Sequence, residues 1–242
     1  MAPRLPAMAA LAAMAGLLLA PALSRAAPAF DKPLDVKEVA PKSDSESEMA
    51  KCTYFVDLMV HEVFDGPTAK KPRIVPDKAG PCTLAVPAGT TVEMEDMILQ
   101  GRKGPFLLFA YVDAQGAADF AIVQAETGKV IFKDAMALDP DALRIGIESG
   151  ALKLGYLRGI NAPCSMLQSN ARCWASIVMD GKIPKDMERQ IPDGKICTPA
   201  YKAAGAPRDN PSILTYPLDV LVSADGTQKE LSRGKIGCVP AP

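Results

Sequence analysis

The sequence predicts a mostly-β fold: a single antiparallel β-sandwich or open-barrel-like domain with one short helix, stapled by disulfides. Three observations predict it. Apolar residues alternate with polar ones, or gather in short runs such as FLLFAYV and KVIF, as half-buried and buried strands require. Gly116, Gly128 and Gly226 stand between such runs, where hairpin turns often need a positive backbone angle. Six cysteines, Cys52, Cys82, Cys164, Cys173, Cys197 and Cys238, follow an N-terminal export segment, and an even count in an exported chain reads as a disulfide framework.

The export segment is residues 1–26. Arg4 supplies a positive start, residues 8–19 form an uncharged apolar run, and small residues follow, with Ser24 and Ala26 placed for cleavage after Ala26. A second site lies at Ala27-Pro28-Ala29. The apolar run falls short of the roughly 20 residues that span a bilayer, and no later segment reaches that length. The Ala- and Pro-rich composition and the short Ala/Leu signal fit a bacterial secretory protein, so the expected location is periplasmic or secreted.

Residues 27–50 are polar and proline-bearing, with a Ser/Asp/Glu cluster at 43–48, and are expected to form a mobile leader. The folded domain is then 51–242. Cys52, Tyr54, Val56, Leu58 and Val60 alternate as the apolar face of one strand. A helix through Met49, Cys52, Val56, Met59 and Val63 fits the spacing too, and the β-branched and aromatic content favours the strand.

Residues 106–135 hold three apolar runs separated by AQG and ETG turns, a β-meander. The run resembles one blade of a β-propeller, in which a Thr-Gly turn often joins the last two strands. No period of about 40 residues recurs, so the meander is assigned to a sandwich or barrel. Asp139-Pro140-Asp141 has the form of a helix start and predicts a short helix toward Ile147. Residues 152–160 and 173–179 are read as strands, and 181–212 as long irregular connections. A hairpin closes the chain, with its turn at Ala224-Asp225-Gly226-Thr227. Pro217 lacks an amide, which calls for an edge strand or a bulge.

Six cysteines permit fifteen connectivities. Short loops close at the smallest entropic cost, so sequential pairing is expected: Cys52–Cys82, Cys164–Cys173 and Cys197–Cys238, the middle pair pinching the base of a hairpin.

Composition excludes several functions. Loss of Arg4 and Arg25 with the signal leaves 25 cations against 28 anions, a net charge of −3, which does not fit a nucleic-acid surface. Lys70-Lys71-Pro72-Arg73 reads as a solvated loop, and Gly101-Arg102-Lys103-Gly104 lacks the P-loop pattern. His61 is the only histidine, which rules out multi-histidine zinc sites and HExxH proteases. A Ser-His-Asp hydrolase needs one histidine, but on a strand Asp57 and Asp65 lie about 13 Å from His61, too far to orient it. Met94 and Met97 have the sulfur chemistry of a copper(I) site but point to opposite faces of a strand, and core packing is the ordinary role of methionine. Glu93, Glu95, Asp96, Asp180, Asp186 and Glu188 are candidate carboxylates for glycoside hydrolysis, a chemistry set by their separation across a cleft. Trp174 is expected in the core, with a partner-surface anchor as the alternative.

The expected function is therefore a non-enzymatic binding, accessory or structural role, with a protein or envelope component as partner and no cofactor, metal or nucleic acid. The competing expectation is an extracytoplasmic hydrolase built from these carboxylates or His61.

Overall fold

The computed structural model describes residues 30–40, 48–66, 68–76, 80–111, 116–137 and 143–242. The export segment and the Asp139-Pro140-Asp141 helix start lie outside them. Two antiparallel sheets are present, and neither closes into a barrel. The smaller sheet has the order β1 (Asp35–Val39), β2 (Glu48–Tyr54), β3 (Leu58–Asp65), β5 (Arg73–Pro76) and β6 (Thr90–Thr91), with β4 (Thr68–Ala69) also pairing with β3. The larger begins with β7 (Ile98–Lys103), then β8 (Phe106–Ala110), β9 (Ala117–Gln124) and β10 (Val130–Ala137), the last three being the expected meander. It continues through β12 (Ala151–Asn161), β13 (Ser212–Val222) and β14 (Gln228–Arg233), with β11 (Arg144–Glu148) on β12 and β15 (Gly237–Pro240) on β13.

Residues 106–110 are apolar at every position because each face of the larger sheet meets a core. Leu107 and Phe109 pack with Val60, Ile74 and Val92 between the sheets. Phe106 and Leu108 pack with Phe120, Leu152 and Leu154 on the opposite face, which the helical segments cover through Met166, Trp174 and Ile177. The fold is thus a two-sheet stack with a helical layer on the larger sheet.

Besides the helix Thr198–Ala204, which lies within the 181–212 stretch expected to be irregular, four expectations change. The single strand expected from Cys52 to Val60 is a hairpin, because the chain reverses at 55–57, where the Phe55 amide donates to the Leu58 carbonyl. The leader expected to be mobile contributes β1, which pairs along its whole length with β2. Its Phe30 lies against Gly101, where a Cβ would stand 2.5 Å from the ring, and its Asp31 accepts from the Gly104 amide. The helix expected toward Ile147 is strand β11, drawn into the sheet by register with β12.

The strand expected at 173–179 is the end of helix α1 (Met166–Met179). Ser165 caps it, accepting from the Gln168 amide at 3.2 Å. The fourth change makes Cys164–Cys173 a helix staple instead of a hairpin clamp. Nine residues of unbroken helix would span about 13.5 Å. The two Cα atoms stand 5.6 Å apart because Ser169 leaves helical geometry (φ −133°, ψ 48°) and turns the chain back. The other bridges are Cys52–Cys82 and Cys197–Cys238, the latter joining a 3₁₀ turn (Gly194–Cys197), just before α2 (Thr198–Ala204), to β15.

Pro217 occupies a central strand without breaking it. On one side β14 pairs with residues 218–222 of β13 and β15 with 212–215, so Pro217 falls in the gap between them. Its carbonyl accepts from the Gly234 amide, which places its missing N–H on that same side.

Candidate functional site

Strands β10 and β12 pair only at Met136–Arg158. Gly159 permits this crossing: a Cβ there would stand 2.5 Å from the Ala117 Cβ and 2.9 Å from the Ala137 amide nitrogen. Where the strands part, a groove of about 560 Å³ opens, with Lys133, Asp119, Asn161 and Lys182 among its walls and Asp134 and Arg158 in its floor.

Asp134 and Arg158 belong to a polar cluster assembled by sheet register, whose other members, Tyr156 and Tyr216, are buried. Tyr156 and Arg158 lie two apart on β12 and share a face. Tyr216 stands opposite Arg158 across the β12–β13 ladder, and Asp134 comes from β10. The Asp134 Oδ1 accepts from the Arg158 Nε at 2.8 Å and from the Ala135 amide at 2.9 Å, while its Oδ2 accepts from the Tyr156 hydroxyl. The Arg158 Nη1 donates to the Tyr216 hydroxyl at 2.7 Å. Behind it, Arg233 lies 6.0 Å from the Tyr216 ring and pairs with Asp186 and Glu230 at 2.7 and 2.6 Å. Asn161 is tied to both backbone groups of Ala117, accepting at 3.0 Å and donating at 3.1 Å.

Electrostatics follow from this packing. Burial raises the Tyr156 hydroxyl far above the phenol range, and the Asp134 carboxylate adds to the shift. Burial raises Tyr216 as well, against the opposing pull of Arg158. Both phenols stay neutral at physiological pH, and Arg158 stays charged. Both Asp134 carboxylate oxygens thus accept hydrogen bonds within the cluster.

The residues singled out in the sequence are placed elsewhere. His61 is a sheet residue only 2% exposed. It lies across from Cys52 on the face covered by the 80–89 loop, and its Nε2 donates to the Thr83 carbonyl at 2.8 Å. Asp57 is turned to Arg102, whose second nitrogen meets it at 2.9 Å. Arginine beside it holds the Asp57 carboxyl below the usual range. Arg102 and Lys103, the basic turn, are thus met by Asp57 and Asp31. Likewise Lys70 pairs with Glu48, Lys71 with Glu93, and Arg73 donates to the Gly89 carbonyl.

Met94 is buried between the sheets while Met97 lines the groove. Glu93, Asp180 and Asp186 each face a different cation, Lys71, Lys182 and Arg233. Trp174 is core, and its indole donates to the Glu188 carbonyl at 2.8 Å. No group of three or more His, Cys, Asp or Glu side chains among the described residues could hold a metal ion.

No protein-family model matches the chain, and neither a curated protein nor a solved structure matches it.

Proposed function

We propose that the protein is exported, to the bacterial periplasm, and acts there as a non-enzymatic binding or accessory domain whose ligand-facing surface is the groove between β10 and β12. The carrying observation is the saturated floor. Asp134 and Arg158 face the groove and are held by each other and by the buried Tyr156 and Tyr216 hydroxyls, which gives a polar surface with its order already set, as recognition favours. The three disulfides are consistent with an extracytoplasmic protein. Among the described residues no helix is long and apolar enough to cross a membrane.

Two experiments test the proposal. Fractionation and intact-mass measurement in the native host should find a mature chain beginning at Ala27 or Phe30; a cytoplasmic protein retaining Met1 overturns export. A thermal-shift screen of small carboxylates, phosphates and oligopeptides should find a stabilising ligand whose effect disappears in a Lys133→Glu, Lys182→Glu variant. Equal stabilisation of both proteins removes the groove from the proposal, and hydrolytic turnover abolished by Asp134→Asn replaces binding with catalysis.

A further inference from the structure

Among the described residues β1 is an edge strand of the smaller sheet, paired on one side only. Edge strands offer a row of backbone donors and acceptors to a further strand, and a lysine there ordinarily discourages such pairing. Strand β1 carries Lys37, but its charges alternate in a way that suits one partner. Asp35 and Lys37 share one face, 3.5 Å apart and more than half exposed, while Leu34, Val36 and Glu38 occupy the other. Leu34 and Val36 are 68% and 46% exposed, and Val56 at the adjoining hairpin tip is 85% exposed.

We infer that β1 pairs with β1 of a second copy of this chain, antiparallel and centred on Val36. A two-fold axis normal to the sheet keeps each side chain on its own face, so only residues of like parity can stand opposite one another. Centring on Val36 sets Val36 against Val36 and Asp35 against Lys37 twice. Centring on Asp35, Lys37 or Glu38 sets that charge against itself, which destabilises a cross-strand pair. A second exposed edge, β14, has no register that sets opposite charges against one another: centres at Lys229, Glu230 and Arg233 oppose like charges, and one at Leu231 sets Lys229 against Arg233 twice. The charge pattern thus favours β1 over β14, and a single register on it.

The test uses the disulfide-bonded chain and its charge variants in sedimentation velocity over a concentration series. The wild type should associate reversibly to a dimer. Asp35→Lys alone and Lys37→Asp alone each place like charges opposite one another and should weaken self-association by about tenfold or more. Mixed together, one variant presents two cations on this face and the other two anions, so both cross-strand pairs are again of opposite charge. The mixture should therefore form a heterodimer, although neither variant dimerises well alone. An effect confined to each chain cannot produce that rescue, and unchanged melting temperatures confirm that both variants fold. A wild type that stays monomeric throughout, single variants that associate like the wild type, or a mixture that stays monomeric each overturns the proposal.

Discussion

Glu62 is the residue at which pH should act on this fold. It sits on β3 between the two sheets and is 1% exposed. Its Oε1 accepts from the Leu99 amide at 2.7 Å, at the bulge where β7 slips against β8. Its Oε2 is buried with no hydrogen-bond partner. Burial raises its pKa above the ordinary glutamate value, with the Leu99 amide and the charge of Lys51, its cross-strand neighbour, acting the other way. The folded state therefore holds this proton more tightly than the unfolded chain. Its contribution to stability is fully present below the unfolded pKa and is lost as pH rises through the raised folded value.

Glu62→Gln keeps an acceptor for Leu99 and removes the ionisation. Either side chain leaves one buried polar atom unpartnered, but a carboxylate loses more by desolvation than an amide, so the substituted protein should be more stable at pH 8, by about 1–3 kcal/mol. At about 2–4 °C per kcal/mol for a domain of this size, the melting temperature should rise by roughly 2–12 °C. The gap should narrow as pH falls toward the ordinary glutamate range, where both side chains are neutral. Calorimetric unfolding of both proteins from pH 4 to 8 measures this. Parallel curves, or a Glu62→Gln protein that loses ground as pH rises, would refute the reasoning.

Other perturbations follow from the same packing. Asp134→Ala strips Arg158 of its carboxylate; removing one partner of a fully buried pair costs about 3–5 kcal/mol, and since Arg158 is a quarter exposed the loss in urea unfolding should be nearer ~1–3 kcal/mol. Cys164→Ser with Cys173→Ser should cost about 2–3 kcal/mol, and non-reducing peptide mapping should show the other two bridges intact. His61→Ala, harmless if the ring were exposed, opens space beneath the 80–89 loop and leaves the Thr83 carbonyl without its donor, so amide exchange should quicken in that loop first.

The legible part of the fold was the part specified by neighbours in sequence. The meander and the last hairpin are written in period-two alternation and glycine turns, and Gly116, Gly128 and Gly226 all carry positive φ. Helix α1 carries conflicting signals. Trp174, Ile177 and Val178 favour a strand by composition, yet Ser165-x-x-Gln168 is a capping-box pattern, and Met166, Cys173, Trp174 and Ile177 recur at helical spacing. Strand β1 was not legible from composition, which registers how little the segment can bury. Its order comes from the β2 ladder and from Phe30 resting on Gly101, contacts between distant residues.

The candidate site is the extreme case of that distinction. Asp134, Tyr156, Arg158 and Tyr216 are drawn from three separate strands, and the only local hint is the two-residue spacing of Tyr156 and Arg158. The cluster exists because the long register between β12 and β13 sets Tyr216 against Arg158, and because Gly159 lets β10 cross close enough to deliver Asp134. Reading single side chains for chemistry led instead to His61 and the scattered carboxylates, which the fold turns toward a backbone carbonyl and separate surface cations. Side chains with strong intrinsic chemistry are conspicuous in a sequence whether or not they converge. A site made of mutually satisfied, ordinary residues is specified by register, and register becomes visible only when the strands are paired.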